Sequence, residues 1–294
     1  MTMDMIIRKK VLKIQERLGM NIGIAYGISS IPVVKTTEQA LTALRELYKI
    51  GIKAFLMPKD LFSGILTTSD LYKDYYGELI KIKETAQKLN IELSIHHPSL
   101  SDMPDDELKT YCNIMSVMDC RTFVIHPTFY KMMPKDQALR LVVYKINEII
   151  TGLRVRPKVG IETTGRTDEV GSLEEVIDIV KRTHETEPVL NWGHIHARGS
   201  GALTSDEDFR RIIDKVRGEI GNRWLWNAYF IFGGVSYGPS GEQKHIPLSR
   251  SDINLSHLIR NIMSFNIKGT LILDDPQREK LVLDMLEELA DMVR

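Results

Sequence analysis

The chain has 294 residues with 39 basic and 39 acidic side chains, so its net charge is zero, and 43% of its residues are hydrophobic. This composition excludes a disordered chain and gives no support to a nucleic-acid binder that relies on bulk positive charge. The sequence holds two cysteines and no apolar stretch near the roughly 18–20 residues of a membrane span, so we expect a soluble, cytoplasmic protein without disulfides or membrane contact.

The predicted elements begin with a helix in residues 1–20, which precedes the first strand. Eight short apolar runs then follow along the chain. Their apolar residues are continuous rather than alternating, which is typical of parallel strands that are buried on both faces. The runs are residues 21–26, 53–58, 92–98, 121–127, 158–163, 188–194, 226–234 and 269–276.

The segments between these runs have the start and stop signals of helices. Ser172 with Glu175 forms a capping-box pattern. Asp275 and Pro276 suit the cap and the first position of the last helix, and Asp275 is a better cap than metal ligand. Strands and helices therefore alternate along the chain.

This alternation predicts an α/β fold, a (β/α)8 TIM barrel with a short N-terminal helical extension. We expect a single domain over residues 1–294, with the extension in 1–20 and the barrel in 21–294. An open, doubly wound sheet is the structural alternative. Such a sheet usually carries a GxGxxG phosphate loop after its first strand, where this chain reads GIAYGISS.

Polar side chains stand at the ends of several predicted strands, where barrel enzymes place their chemistry. They are His96 and His97 after the third run, His126 after the fourth, Glu162 after the fifth, Asn191 and His194 at the sixth, and Asp274 and Asp275 at the eighth, while His245 lies in the loop after the seventh. Imidazoles and carboxylates that converge on one face suit zinc or manganese. A histidine at a strand end is otherwise a hydrogen-bonded structural residue. We assign that role to His97 and His196, because neighbouring side chains on a strand face opposite sides.

Five stretches of the sequence carry a resemblance to a known protein family. They are HHPSL (96–100), FVIHP (123–127), GIETTGR (160–166), LNWGHIHARGSGAL (190–203) and GVSYGPSGEQKHIPL (234–248). In these stretches the chain resembles the endonuclease IV family of apurinic/apyrimidinic endonucleases, within the xylose-isomerase-like TIM barrels, and its archaeal branch most closely. The resemblance spans roughly residues 20–290. It implies a zinc enzyme with three metals, which hydrolyses the phosphodiester 5′ to an abasic site in duplex DNA.

The resemblance also implies metal ligands at matching positions. His96 and His126 match the histidines of the first metal, Glu162 matches a bridging carboxylate, His194 and His245 match ligands of the third metal, and Asp274 stands where the family has Glu.

Three positions depart from the family pattern. Asn191 stands where the family has Asp, Ile231 replaces a histidine, and Gln243 stands where an Asp would precede His245. Two of four expected carboxylates then remain, and they compensate three divalent ions poorly, since neutral amides are weak zinc ligands. We therefore expect one or two ions of zinc or manganese rather than three.

Three further residues are expected to contact the substrate. Leu100 matches an apolar residue that wedges the DNA duplex open, and Arg198 and Lys244 lie beside ligand positions and could hold a phosphate. The alternative for the two basic residues is that they pair with nearby acids on the rim.

The favoured hypothesis is a divergent, endonuclease IV-like phosphodiesterase of reduced activity, in which Glu162 bridges metals or orients the attacking water. The alternative is a metal-dependent isomerase or epimerase of a small sugar, in which Glu162 and Asp274 hold one ion. A third hypothesis is a non-catalytic DNA-binding relative, because Asn191, Ile231 and Gln243 have replaced ligands.

Overall fold

The computed structural model describes residues 3–130, 132–153 and 157–293, which contain ten strands. The strands are β1 (Met20–Ala25), β2 (Ala54–Pro58), β3 (Glu92–His97), β4 (Phe123–Ile125), β5 (Val159–Glu162), β6 (Thr186–Asn191), β7 (Ala228–Phe232), β8 (Gly234–Gly238), β9 (Gly241–Ile246) and β10 (Gly269–Leu273). All of these described strands except β8 and β9 form a closed parallel barrel in the order β1, β10, β7, β6, β5, β4, β3, β2. Each of the eight apolar runs overlaps one barrel strand, so the predicted (β/α)8 TIM barrel is confirmed.

Helices follow the barrel strands along the chain and pack around them. They are α1 (Met3–Leu18), α2 (Thr37–Ile50), α3 (Thr68–Asp70), α4 (Tyr76–Leu89), α5 (Asp105–Met118), α6 (Lys135–Thr151), α7 (Leu173–Arg182), α8 (Trp192–Arg198), α9 (Asp206–Ile220), α10 (Leu255–Phe265), α11 (Glu279–Asp284) and α12 (Leu286–Met292). A π-helical turn, Leu71–Tyr75, joins α3 to α4. Within the described residues, no helix is both long and apolar enough to cross a bilayer.

Helix α1 forms the N-terminal extension and belongs to the outer helical layer. Its buried face includes Val11, Ile14 and Leu18. The helix contacts α2 on one side and α10 and α12 on the other. The first and last helices of the barrel are therefore bridged by α1.

A small apolar core fills the interior of the barrel. It consists of Ala25, Ala54, Leu56, Val124, Val189, Tyr229, Ile231 and Ile272. A much larger core lies between the strands and the helices. Side chains therefore pack the interior, and the candidate ligand residues lie beyond it, at the carboxyl ends of the strands.

The structure differs from the predicted elements in three places. The sixth strand ends early because Asn191 caps α8, so residues 192–194 are helical rather than extended. The loop after β7 contains an antiparallel hairpin of β8 and β9. Asp275 precedes a turn and does not cap α11, which begins later at Glu279. Its carboxylate accepts hydrogen bonds from the Gln277 backbone N–H at 2.7 Å, in that turn, and from the Leu248 backbone N–H at 2.6 Å, at the base of the hairpin.

Candidate metal centre

The first ligand group consists of His96, His126 and Glu162, which stand at or directly after the ends of β3, β4 and β5. The Nε2 atoms of His96 and His126 are 3.3 Å apart. Glu162 Oε2 lies 3.2 Å from His96 Nε2, and Glu162 Oε1 lies 3.3 Å from His126 Nε2. Three neighbouring strands thus bring three potential metal-binding atoms to one point.

The first ligand group has the properties that a cation requires. Glu162 is buried, and within the described residues its Oε2 accepts no hydrogen bond. Burial opposes ionisation of Glu162, but the imidazoles of His126 and His96 outweigh it and hold the pKa of this carboxyl well below its usual value. Two imidazoles and an ionised carboxylate match the three protein ligands that are typical of catalytic zinc sites.

The second ligand group consists of His194, Glu242 and His245. Glu242 Oε2 lies 3.1 Å from His194 Nε2, and Glu242 Oε1 lies 3.3 Å from His245 Nε2. The Nδ1 atom of His194 lies 2.8 Å from the Thr163 carbonyl oxygen and donates to it, which directs Nε2 to Glu242. Burial opposes ionisation of Glu242, but His194 and His245 outweigh it and lower its pKa to about 2.

Glu242 is not recognisable as a ligand from the sequence, where Gln243 predicts the loss of a carboxylate position. In a regular strand, residues 242 and 245 face opposite sides, because they are an odd number of positions apart. The β8–β9 pairing shifts here: Ser236 lies opposite Lys244, while Tyr237 lies opposite Glu242. Gln243 is the extra residue of this β-bulge, and the bulge turns Glu242 and His245 to the same side. The expectation of two remaining carboxylates was therefore wrong, because Glu242 replaces the one missing at Gln243.

The hairpin is docked on the loop that follows β5. The Glu242 backbone N–H donates to the Gly165 carbonyl oxygen at 2.9 Å, and the Thr167 N–H donates to the Ser240 carbonyl oxygen at 3.1 Å. A side chain at position 165 would collide with the side chain of Glu242, so this approach requires glycine. Backbone pairing therefore holds the hairpin ligands against the barrel.

The two ligand groups are adjacent and meet at Glu162. Its Oε1 atom lies 3.4 Å from His194 Nδ1, and the His126 and His194 ring centroids are 5.4 Å apart. Asp274 lies beyond the second group, with its Oδ2 atom 3.6 Å from His245 Nδ1. Burial is the largest single influence on the pKa of His245 and lowers it. Asp274 and Glu242 together outweigh burial and raise this pKa to about 9.

The position of a third ion lacks suitable ligands. Ile231 is fully buried in the barrel interior and pairs in register with Asn191. Asn191 Nδ2 donates to Glu162 Oε1 at 2.9 Å, while its Oδ1 accepts from the His194 backbone N–H at 3.1 Å. A side chain at Gly233, directly after β7, would collide with the Asp274 carbonyl oxygen. This position therefore offers no ligand in place of Ile231. These residues do not fit a third metal ion, whereas the two ligand groups each fit one.

The two remaining candidate histidines lie outside the ligand groups. His97 Nδ1 accepts from the Ser99 backbone N–H at 3.3 Å, and its ring packs edge-on against Tyr111. His196 Nε2 lies 3.0 Å from Asp252 Oδ1, so it belongs to a separate contact. Both histidines face away from the metal groups, as expected.

The predicted substrate contacts are placed differently. Leu100 is fully buried in the core, so it does not form an exposed wedge. Arg198 donates to Thr164 Oγ1 at 3.3 Å and to the Glu169 carbonyl oxygen at 3.0 Å, so its guanidinium holds the loop after β5. Lys244 is exposed on β9. Leu100 is therefore buried rather than displayed at the surface, and the Arg198 guanidinium is engaged with the loop after β5.

Comparison with known proteins extends these observations. The family model described as xylose isomerase-like TIM barrel matches residues 44–292. The chain is 24% identical over 274 residues to an uncharacterized protein of Methanocaldococcus jannaschii, an alignment that covers 89% of this chain and 95% of that protein.

Solved structures with a similar fold include enzymes that act on sugars. A D-tagatose 3-epimerase-like protein has a TM-score of 0.65 at 14% identity and covers 93% of this chain and 98% of its own. D-Psicose 3-epimerase from Clostridium cellulolyticum H10, solved with D-tagatose, has a TM-score of 0.58 at 14% identity, covering 93% and 96%. The IOLI protein, solved with a zinc atom, has a TM-score of 0.61 at 14% identity, covering 93% and 95%. Such low identity shows only a shared fold, whereas the family match covers most of the sequence: the chain belongs to the xylose isomerase-like TIM barrel family.

Proposed function

We propose that the chain is a two-metal-ion phosphodiester hydrolase of the endonuclease IV type. The adjacency of two three-residue ligand groups, which meet at Glu162, carries this proposal. Paired cations at close range are a common arrangement in phosphatases and nucleases, because they act on the attacking and leaving oxygens of one displacement.

Glu162 and Thr163 orient the side chains of the two ligand groups. Glu162 places one carboxylate between His126 and His194 and thereby fixes the spacing of the two groups. The Thr163 carbonyl orients the His194 ring, so that its Nε2 atom is directed to the second group. When bound, divalent cations supply Lewis acidity, which activates water near neutral pH and offsets the charge of a phosphate.

We propose a phosphodiester in DNA, 5′ to an abasic site, as the first substrate to test. The resemblance in five sequence stretches supports this substrate, and the ligand groups support phosphodiester chemistry in general. Lys244, which is exposed and precedes His245 in β9, is the basic residue that we expect to contact a DNA phosphate.

The test uses the full chain loaded with zinc or manganese. Hydrolysis of bis(p-nitrophenyl) phosphate and incision of a duplex containing an abasic-site analogue are measured with a chelator control. We expect metal-dependent turnover that falls by about 100-fold in Glu162→Gln. Asp168→Asn is the matched control, because this exposed carboxylate lies on the loop after β5 and forms an ion pair with Arg166. A folded protein that carries both metals and hydrolyses neither substrate would refute the proposal.

A sugar epimerase or isomerase is the second candidate, and the epimerases of similar fold favour it. In that reaction Glu162 and Asp274 would together hold one ion beside a bound ketose. A histidine or a further acid would move the proton. Incorporation of solvent deuterium into D-tagatose or D-fructose distinguishes this candidate, since phosphodiester hydrolysis produces no such exchange.

A further inference from the structure

One side of the barrel mouth carries neither ligand group. Ile231 lies in β7, whereas Asp274 and Tyr26 directly follow β10 and β1, and Arg278 reaches Asp274 from the loop after β10. Arg278 Nη1 lies 3.6 Å from Asp274 Oδ1, and the two side chains are only 12% and 7% exposed. A largely buried cation therefore stands on the side where the ligand set of a third ion is incomplete.

Backbone contacts fix the Arg278 guanidinium in place. Its Nε atom donates to the Pro32 carbonyl oxygen at 3.2 Å, and its Nη1 atom donates to the Asp275 carbonyl oxygen at 3.0 Å. Among the residues that the structure describes, Nη2 has no hydrogen-bond partner, so two of its N–H donors are available to another anion.

Tyr26 connects Arg278 to the first ligand group. The Arg278 Cζ atom lies 5.7 Å from the Tyr26 ring centroid, and this ring meets the His96 ring edge-on at a centroid distance of 5.4 Å. Both Tyr26 and Arg278 have positive φ angles, of 66° and 56°. Such backbone is unfavourable for bulky residues and is often retained at functional sites, and here two such residues lie together beside the metal groups.

We infer that Arg278 is a substrate-binding residue, which contacts a non-bridging oxygen of the substrate phosphate and supplies the positive charge that a third metal ion would otherwise bring. The inference rests on the proposed phosphodiester chemistry. Glu162, Glu242 and Asp274, with two divalent ions and one guanidinium, carry the same net charge as four carboxylates with three divalent ions. A guanidinium also suits phosphate oxygens, because its N–H groups form a planar array of donors.

The experiment compares Arg278→Ala and Arg278→Lys with the wild type, all loaded with manganese. Bound metal is counted by mass spectrometry of the metals, and affinity for inorganic phosphate is measured by calorimetry. We expect unchanged metal content in both variants. Phosphate affinity should fall about tenfold in Arg278→Ala and less in Arg278→Lys, which retains a positive charge. Guanidinium ion added to Arg278→Ala should restore part of the phosphate affinity. Arg250→Ala, at an exposed arginine after the hairpin, is the control.

Each outcome decides the inference. Unchanged phosphate affinity in both variants would overturn it, and so would loss of metal from both, because Arg278 would then only support the ligands. If the wild type hydrolyses no phosphodiester but its phosphate affinity depends on Arg278, the binding role stands and the proposed hydrolase activity fails.

Discussion

The side-chain amide of Asn191 is a neutral partner of the buried carboxylate of Glu162. Asn191 Nδ2 lies 2.9 Å from Glu162 Oε1 and stabilises this buried carboxylate by a hydrogen bond. An aspartate in its place would face Glu162 as a like charge, and the two could remain ionised at that distance only with a cation between them. The amide therefore takes over part of the role of an ion.

We expect Asn191→Asp to destabilise the metal-free protein by about 1–3 kcal/mol at pH 7, because a buried hydrogen bond becomes a repulsive contact. Added zinc should recover part of this loss. Urea unfolding with and without zinc measures both effects. The same change at the exposed Asn222 is the control, and equal stability of the two variants would contradict the explanation.

At the level of elements, the β8–β9 hairpin determines the composition of the second ligand group. It supplies Glu242 and His245, whereas His194 comes from the first turn of α8. Gln243 sets the orientation of the hairpin ligands without being a ligand, because it is the extra residue of the bulge. The number of residues in β9 thus matters as much as their identity.

Deletion of Gln243 should separate the effect of the number of residues in β9 from the effect of their identity. A regular strand would turn Glu242 away from His245, so we expect the variant to bind one metal ion where the wild type binds two. Gln243→Ala retains the bulge and should still bind two. Metal analysis after dialysis gives the numbers, and two ions in the deletion variant would show that the bulge is unnecessary.

The same elements show how far the sequence could lead. The eight strands are readable because parallel strands buried on both faces produce continuous apolar runs. His96, His126 and Glu162 are found by their positions at strand ends, and the structure brings them together. Glu242 is hidden because its orientation depends on the bulge in the pairing of β8 with β9, which the residue pattern of β9 does not show. The burial of Leu100 likewise depends on tertiary packing, which no local pattern records.

Segments from most of the chain meet at the candidate metal centre. The six ligand residues come from β3, β5 and β9, from the segment after β4 and from α8, which are distant in sequence. These segments meet only in the folded chain, so an ion bound by them stabilises the native state relative to the unfolded one.

Removal of metal should therefore lower the melting temperature. At a free metal concentration one hundred times the Kd, each ion contributes about 2.7 kcal/mol, which corresponds to about 4 °C for a protein of this size. Differential scanning calorimetry before and after chelation measures the shift. Asp168→Asn should show the full shift and Glu242→Gln about half, and an unchanged melting temperature in the wild type would refute the linkage.

The hairpin is also a discrete insert between β7 and α10. Its removal from an ancestral chain would delete two ligands of one group and leave the barrel strands and the other group in place. Loss or gain of this one segment would thus change the number of ligand groups between one and two, while the residues of the barrel strands stay the same. In such a lineage, reaction type would change by gain or loss of a surface segment, while the eight strands remained a constant frame.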